Sequence, residues 1–95
     1  MLTLKDCADV VGLTLDEVEA VASHDGLPQM LAVGRAAGML DQDWGNVALR
    51  QMIRDDADRA HLAGREGQTE AYRALLAEAT ERHPGGRDRR QGPRG

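Results

Sequence analysis

Residues 3–22 read Thr3-Leu4-Lys5-Asp6-Cys7-Ala8-Asp9-Val10-Val11-Gly12-Leu13-Thr14-Leu15-Asp16-Glu17-Val18-Glu19-Ala20-Val21-Ala22. This stretch decides the fold class. Thr3 is placed to accept a hydrogen bond from a free N–H of a first helix over Leu4 to Val11. Asp6, at the N3 position, completes a partial capping box. Gly12 ends that helix in the manner of a left-handed cap. Thr14 caps a second helix from Leu15 to Asp25, with Asp16 and Glu17 in its first turn, where acids complement the helix dipole. Leu15, Val18, Val21 and Ala22 recur at helical spacing and form one apolar face. Gly26 terminates the second helix.

The same punctuation continues outward. Pro28 suits the first turn of a third helix running to about Leu40, whose apolar side is expected to hold Met30, Leu31, Val33, Ala37 and Leu40. Asp41 and Asp43 are candidate caps for a fourth helix from Trp44 to about Ala63. Its inward face is expected to carry Val47, Ala48, Met52, Ile53, Ala57 and Ala60. Asp55 and Arg59, and Arg54 and Asp58, stand four apart as surface pairs. Gly64 and Gly67 bracket a short turn into a fifth helix that ends near Arg82 and points Tyr72, Leu75, Leu76 and Ala79 inward. A turn that short makes the last two helices an antiparallel hairpin. Ile occurs once, and no alternating run of β-branched residues suggests a strand. The expectation is an all-α domain of about five short helices.

Composition bounds what such a domain can do. The chain has 95 residues, with 24 large apolar side chains, no Phe and 14 Ala. That fills one thin core layer and leaves no volume for a large enzyme cleft. Cys7 is the single cysteine and cannot form an internal disulfide. It lies among Leu4, Ala8 and Val11 and reads as a small buried hydrophobe. Lys5 and Asp6 interrupt the N-terminal apolar run, so no signal peptide is read there. Leu27 to Leu40 is too short, and with Arg35 too polar, to span a bilayer. These features point to a reducing, cytoplasmic setting. Residues 1–83 carry a net charge of −7 and form the helical domain. Residues 84–95, with four Arg, one Asp and no apolar side chain except proline, read as a disordered Arg/Gly/Pro-rich tail.

Ala8, Gly12 and Val18 resemble the helix-turn-helix of bacterial repressors. A small residue permits a close crossing, glycine the turn, and an aliphatic side chain the packing of one helix on the other. The resemblance implies that geometry for residues 4–22. A DNA-binding transcriptional regulator is the alternative functional reading. The second helix departs from it, because Asp16, Glu17, Glu19 and Asp25 occupy the recognition position and no Lys or Arg occurs from Asp6 to Gly34. Phosphate neutralisation dominates DNA affinity, so duplex DNA is not an expected partner. Leu2-Thr3-Leu4-Lys5-Asp6, Gly12-Leu13-Thr14 and Met52-Ile53-Arg54-Asp55-Asp56 together resemble small uncharacterised bacterial all-helical proteins, a likeness that implies the fold and no activity.

Other chemistries find little support. Asp58 and His61 are three apart on one helix, as in one element of carboxylate-bridged metal bundles, but the remaining ligands are missing. Ser23-His24-Asp25 is a triad only in writing, because adjacent helical residues point about 100° apart. His24 reads instead as a partner for the C-terminal dipole of the second helix. Lys5 is the only lysine, which removes any phosphate loop of the Gly-rich, Lys-containing kind. No catalytic residue, metal, cofactor or small-molecule ligand is expected. Gly34 and Gly38, one turn apart on the third helix, suggest instead that another backbone approaches that face. The partner is either the fourth helix of the same chain or another subunit. Met30, Gly34, Gly38, Met39, Leu40 and Trp44 are therefore the candidate interface. The expected role is a non-catalytic accessory or adaptor protein working through helix-face protein contacts, self-association included.

Overall fold

The computed structural model describes residues 3–86 and contains five helices among them: α1 (Leu4–Val10), α2 (Leu15–Asp25), α3 (Gln29–Leu40), α4 (Gly45–Leu62) and α5 (Glu66–Arg82). No strand occurs among the described residues. The fold is all-α. The residues of the expected tail from 87 onward lie outside the described residues. Both N-terminal caps form as the sequence reads. Thr3 Oγ1 accepts from Asp6 N and Asp6 Oδ2 from Thr3 N, each at 3.1 Å. Thr14 and Glu17 repeat the reciprocal box on α2. Gly12, at φ +78°, supplies the left-handed turn between α1 and α2, a conformation that strains any residue with a Cβ. Ala8, Leu13 and Val18 all belong to the buried core cluster.

The buried apolar side chains form one cluster. Leu13, Leu49, Ile53, Val18 and Val21 are among its largest fully buried side chains. Alanines 8, 20, 32, 36 and 79 are the small contacts that let helices approach. Each large aliphatic side chain buried there contributes roughly 1.5–3 kcal/mol. α4 and α5 form the most extensive helix pair, and they run antiparallel. Asn46 Nδ2 near the start of α4 donates to Pro84 O at 3.0 Å, just beyond the end of α5. Arg50 donates to His83 O and Gly85 O in the same place.

Five expectations change. On α3 the buried residues are Ala32, Val33, Ala36 and Met39. Met30 and Leu31, expected inside, are exposed, while Ala37 and Leu40 are half-buried. The helix turns its alanine side inward because a thin core favours close approach over bulk. On α2, Leu15 is exposed and Ala20 and Glu17 are buried instead. On α4, Leu49 and Asp56 join the buried face, whereas Val47 and Ala48 are half-buried. The N-cap position of α4 is Trp44, not Asp41 or Asp43, and its side chain makes no capping hydrogen bond; a tight turn leads into the helix, with Gln42 N donating to Met39 O at 3.0 Å. At Gly45 a Cβ would sit 1.8 Å from Met39 O, so only glycine fits there. Within the chain, the close backbone approach occurs at Gly45 rather than at Gly34 or Gly38.

Candidate functional site

Three local arrangements emerge from this packing. The first joins α2 to the end of α5. Glu17 is 0% exposed. Its Oε1 accepts from Thr14 N at 2.8 Å, and Oε2 lies 3.1 Å from His83 Nε2. Arg82 Nε stands 3.6 Å from Glu17 Oε1, and Arg82 Nη2 donates to Gly12 O at 2.8 Å. One buried carboxylate thus caps α2 and holds two side chains from the far end of the sequence. The carboxylate itself is closed to solvent, while a cleft of about 500 Å³ opens beside it along Gly12, Thr14, Asp16 and Arg82.

The second is the outer face of α3. Met30, Gly34 and Gly38 follow at spacings of four and share one ridge. Met30 is 57% exposed and Leu31 beside it 62%. A Cβ built on Gly34 or Gly38 meets nothing within 4 Å, so α4 does not approach them and the intrachain reading of these glycines fails. Of the six sequence-derived interface residues, Met30, Gly34 and Gly38 stand together on this surface. Met39 does not, because it is buried in the core. Leu40 and Trp44 are half-buried and pack against that core. Leu31, assigned inward by the sequence reading, belongs to the exposed set. The ridge holds no acidic residue. Its one charge, Arg35, donates from Nε to Asp25 Oδ2 at 3.2 Å.

The third is a polar cleft of about 320 Å³ where the end of α2, the last turns of α4 and the first turns of α5 meet. Ser23, Asp56, Arg59, Arg65, Gln68 and Tyr72 contribute its polar groups. α4 carries Asp56 to the inside, 2% exposed. Arg59 Nη2 donates to its Oδ1. Its Oδ2 forms no hydrogen bond. Burial raises the Asp56 carboxyl above its ordinary range, partly offset by the Arg59 guanidinium. Arg65 is the N-cap of α5, and no side chain caps that helix. Sequence reading missed this cleft. Its residues come from three separated segments, and only the buried acid on α4 breaks the local pattern.

The remaining candidates fall apart in space. His24 Nδ1 pairs with Asp25 Oδ1 at 3.0 Å and Nε2 with Asp55 Oδ2 at 3.2 Å, whereas Ser23 lines the cleft, so the three do not form a relay. Burial disfavours the charged imidazole, but the hydrogen bonds with Asp25 and Asp55 and the charge of Asp56 outweigh it and raise His24 above its ordinary value. Asp25 is lowered by its bond with His24 and by Arg35. His61 is exposed, with Nδ1 3.0 Å from Glu66 Oε1 rather than joined to a ligand set with Asp58. No group of three or more His, Cys, Asp or Glu side chains among the described residues is arranged to hold a metal ion. Cys7 is half-buried against the core. Among the described residues no helix is long and apolar enough to cross a membrane. Comparison with family profiles, curated proteins and solved structures finds no match to this chain.

Proposed function

We propose that the protein is a non-catalytic accessory or adaptor module that works through the outer face of α3, and that a second copy of the chain is one occupant of that face. The observation that carries this reading is the ridge of Met30, Gly34 and Gly38 with Leu31 beside it. Large apolar side chains stand open to water next to helix positions where a neighbouring backbone can approach closely. Glycine inside a helix lowers stability by about 1 kcal/mol relative to alanine. Two such residues with open space above them serve no packing need within the chain. In a two-fold crossing the same ridge is buried on both subunits.

The acidic surface of α2 speaks against the DNA-binding alternative. Leu15, Asp16, Glu19 and Ser23 are its exposed residues in sequence order, with no cation among them. Sedimentation of the full chain at about 100 μM tests the self-association, since burial of a standard patch gives micromolar affinity or better. A dimer that Leu31→Asp converts to monomer, with circular dichroism still helical, supports it. A wild-type monomer at that concentration ends it. The glycines supply a second readout. Gly34→Ala and Gly38→Ala should each stabilise the monomer by up to about 1 kcal/mol while weakening the dimer.

A further inference from the structure

We propose that the cleft between α2, α4 and α5 binds a phosphate group that retains a proton, either inorganic phosphate or a phosphomonoester. Three features of the cleft converge on this chemistry. Arg59 and Arg65 supply two guanidinium groups against the single carboxylate of Asp56, and guanidinium forks match phosphate oxygens. The cleft opens at the uncapped N-terminus of the 17-residue α5, where the helix dipole favours an anion. The third feature narrows the ligand. Asp56 is 2% exposed and its Oδ2 has no hydrogen bond. Buried acceptors are almost always satisfied. Glu17 Oε2 also lacks a hydrogen bond but has His83 Nε2 3.1 Å away, so Asp56 Oδ2 is the buried carboxylate oxygen that calls for a donor from outside.

A fully ionised oxyanion offers none and would be repelled by the carboxylate. A phosphate P–OH supplies the donor to Oδ2 while its remaining oxygens accept from Arg65 and Arg59. The ring of Tyr72 and the amide of Gln68 form the wall on the α5 side. Arg59, the hydrogen-bonded partner of Asp56, has a side chain that is 59% exposed. Oδ2 itself is closed to solvent, so that exposed side chain must swing aside before a ligand reaches the oxygen.

The test is a titration of the ¹⁵N-labelled full chain at fixed ionic strength with inorganic phosphate, phenyl phosphate and sulfate in separate arms. Saturable shifts of the Arg65, Gln68 and Tyr72 amides with both phosphates, and at least about tenfold weaker binding of sulfate, are expected, the factor being that of one charge-assisted hydrogen bond. The tighter of the two phosphates identifies the source. No saturation by either phosphate below about 10 mM, or sulfate binding as tightly as phosphate, overturns the proposal. Arg65→Gln should weaken phosphate binding by about tenfold with the urea midpoint unchanged. An unaltered affinity in that variant also overturns it. Asp56→Asn offers a donor of its own and should abolish the preference for phosphate over sulfate, and a retained preference counts against the proposal. If Asp56→Asn does not fold, the wild-type sulfate arm and Arg65→Gln decide the matter.

Discussion

Glu17 and Asp56 are both carboxylates withdrawn from water, and they serve opposite ends of α5. Around Glu17 both oxygens have polar partners nearby. One oxygen caps α2, the other faces His83, and Arg82 bridges to the α1–α2 turn. Around Asp56 the two oxygens differ. One oxygen is held by Arg59, the other has no hydrogen bond, and the carboxyl borders a cleft. In both, one carboxylate oxygen is hydrogen-bonded and the other is not, but Glu17 is a fastener, with His83 Nε2 brought by the end of α5 to 3.1 Å from its Oε2, whereas Asp56 Oδ2 has no such neighbour in an ion pair. What differs is how many donors the neighbouring elements bring. At the Glu17 end, two chain segments distant in sequence converge on it. At the Asp56 end, its hydrogen-bonded donor is a residue of its own helix.

Glu17→Ala should have the largest effect, because it removes the cap of α2 and leaves Arg82 and His83 facing an empty site. Breaking a buried charged contact and a cap together costs about 3 kcal/mol, read as a lower urea midpoint with an unchanged m-value. A loss below about 1 kcal/mol would mean that the fastener carries no strain and would erase the contrast. Arg59→Gln comes next. It leaves Asp56 buried without its counter-charge and should destabilise by about 2 kcal/mol. The double variant Asp56→Asn with Arg59→Gln should recover most of that loss, and a double-mutant cycle measures the coupling. Asp56→Asn alone should stay within about 1 kcal/mol of wild type, since burial already disfavours the charged form.

The smallest effect is in pH. His24 and Asp56 both have pKa values raised by folding. Each therefore contributes stability that is full below its unfolded pKa and lost as pH rises through the folded value. For His24 that loss falls above its ordinary value of about 6.5. Asp25 is lowered on folding and acts in the other direction, its contribution vanishing as pH falls through the folded value. Urea midpoints should thus decline slightly from pH 6 to 8, and His24→Gln should flatten that slope. An unchanged slope in the variant would place the titration elsewhere.

The legibility of these features followed their range in sequence. The Thr3 and Thr14 caps and the Gly12 turn were readable because each is settled within about four residues. Met30, Gly34 and Gly38 were readable as a ridge for the same reason. Their company was not. Met39, one residue beyond Gly38, is turned into the core, and Leu31 is turned out. The cleft was illegible because Ser23, Asp56 and Tyr72 become neighbours only when α2, α4 and α5 pack.

By itself, then, the sequence determined an all-helical chain, the position of its breaks, and an N-terminal segment rich in acidic residues. These follow from backbone capping, helical periodicity and net charge, which act between near neighbours or by simple addition. Tertiary structure alone decided which side of α3 is buried, why residue 45 must be glycine, and which acids leave water. α3 carries two overlapping apolar stripes, and periodicity cannot choose between them. The choice falls to the volume left between α2 and α4, which admits Ala32 and Ala36 and turns Met30 and Leu31 outward.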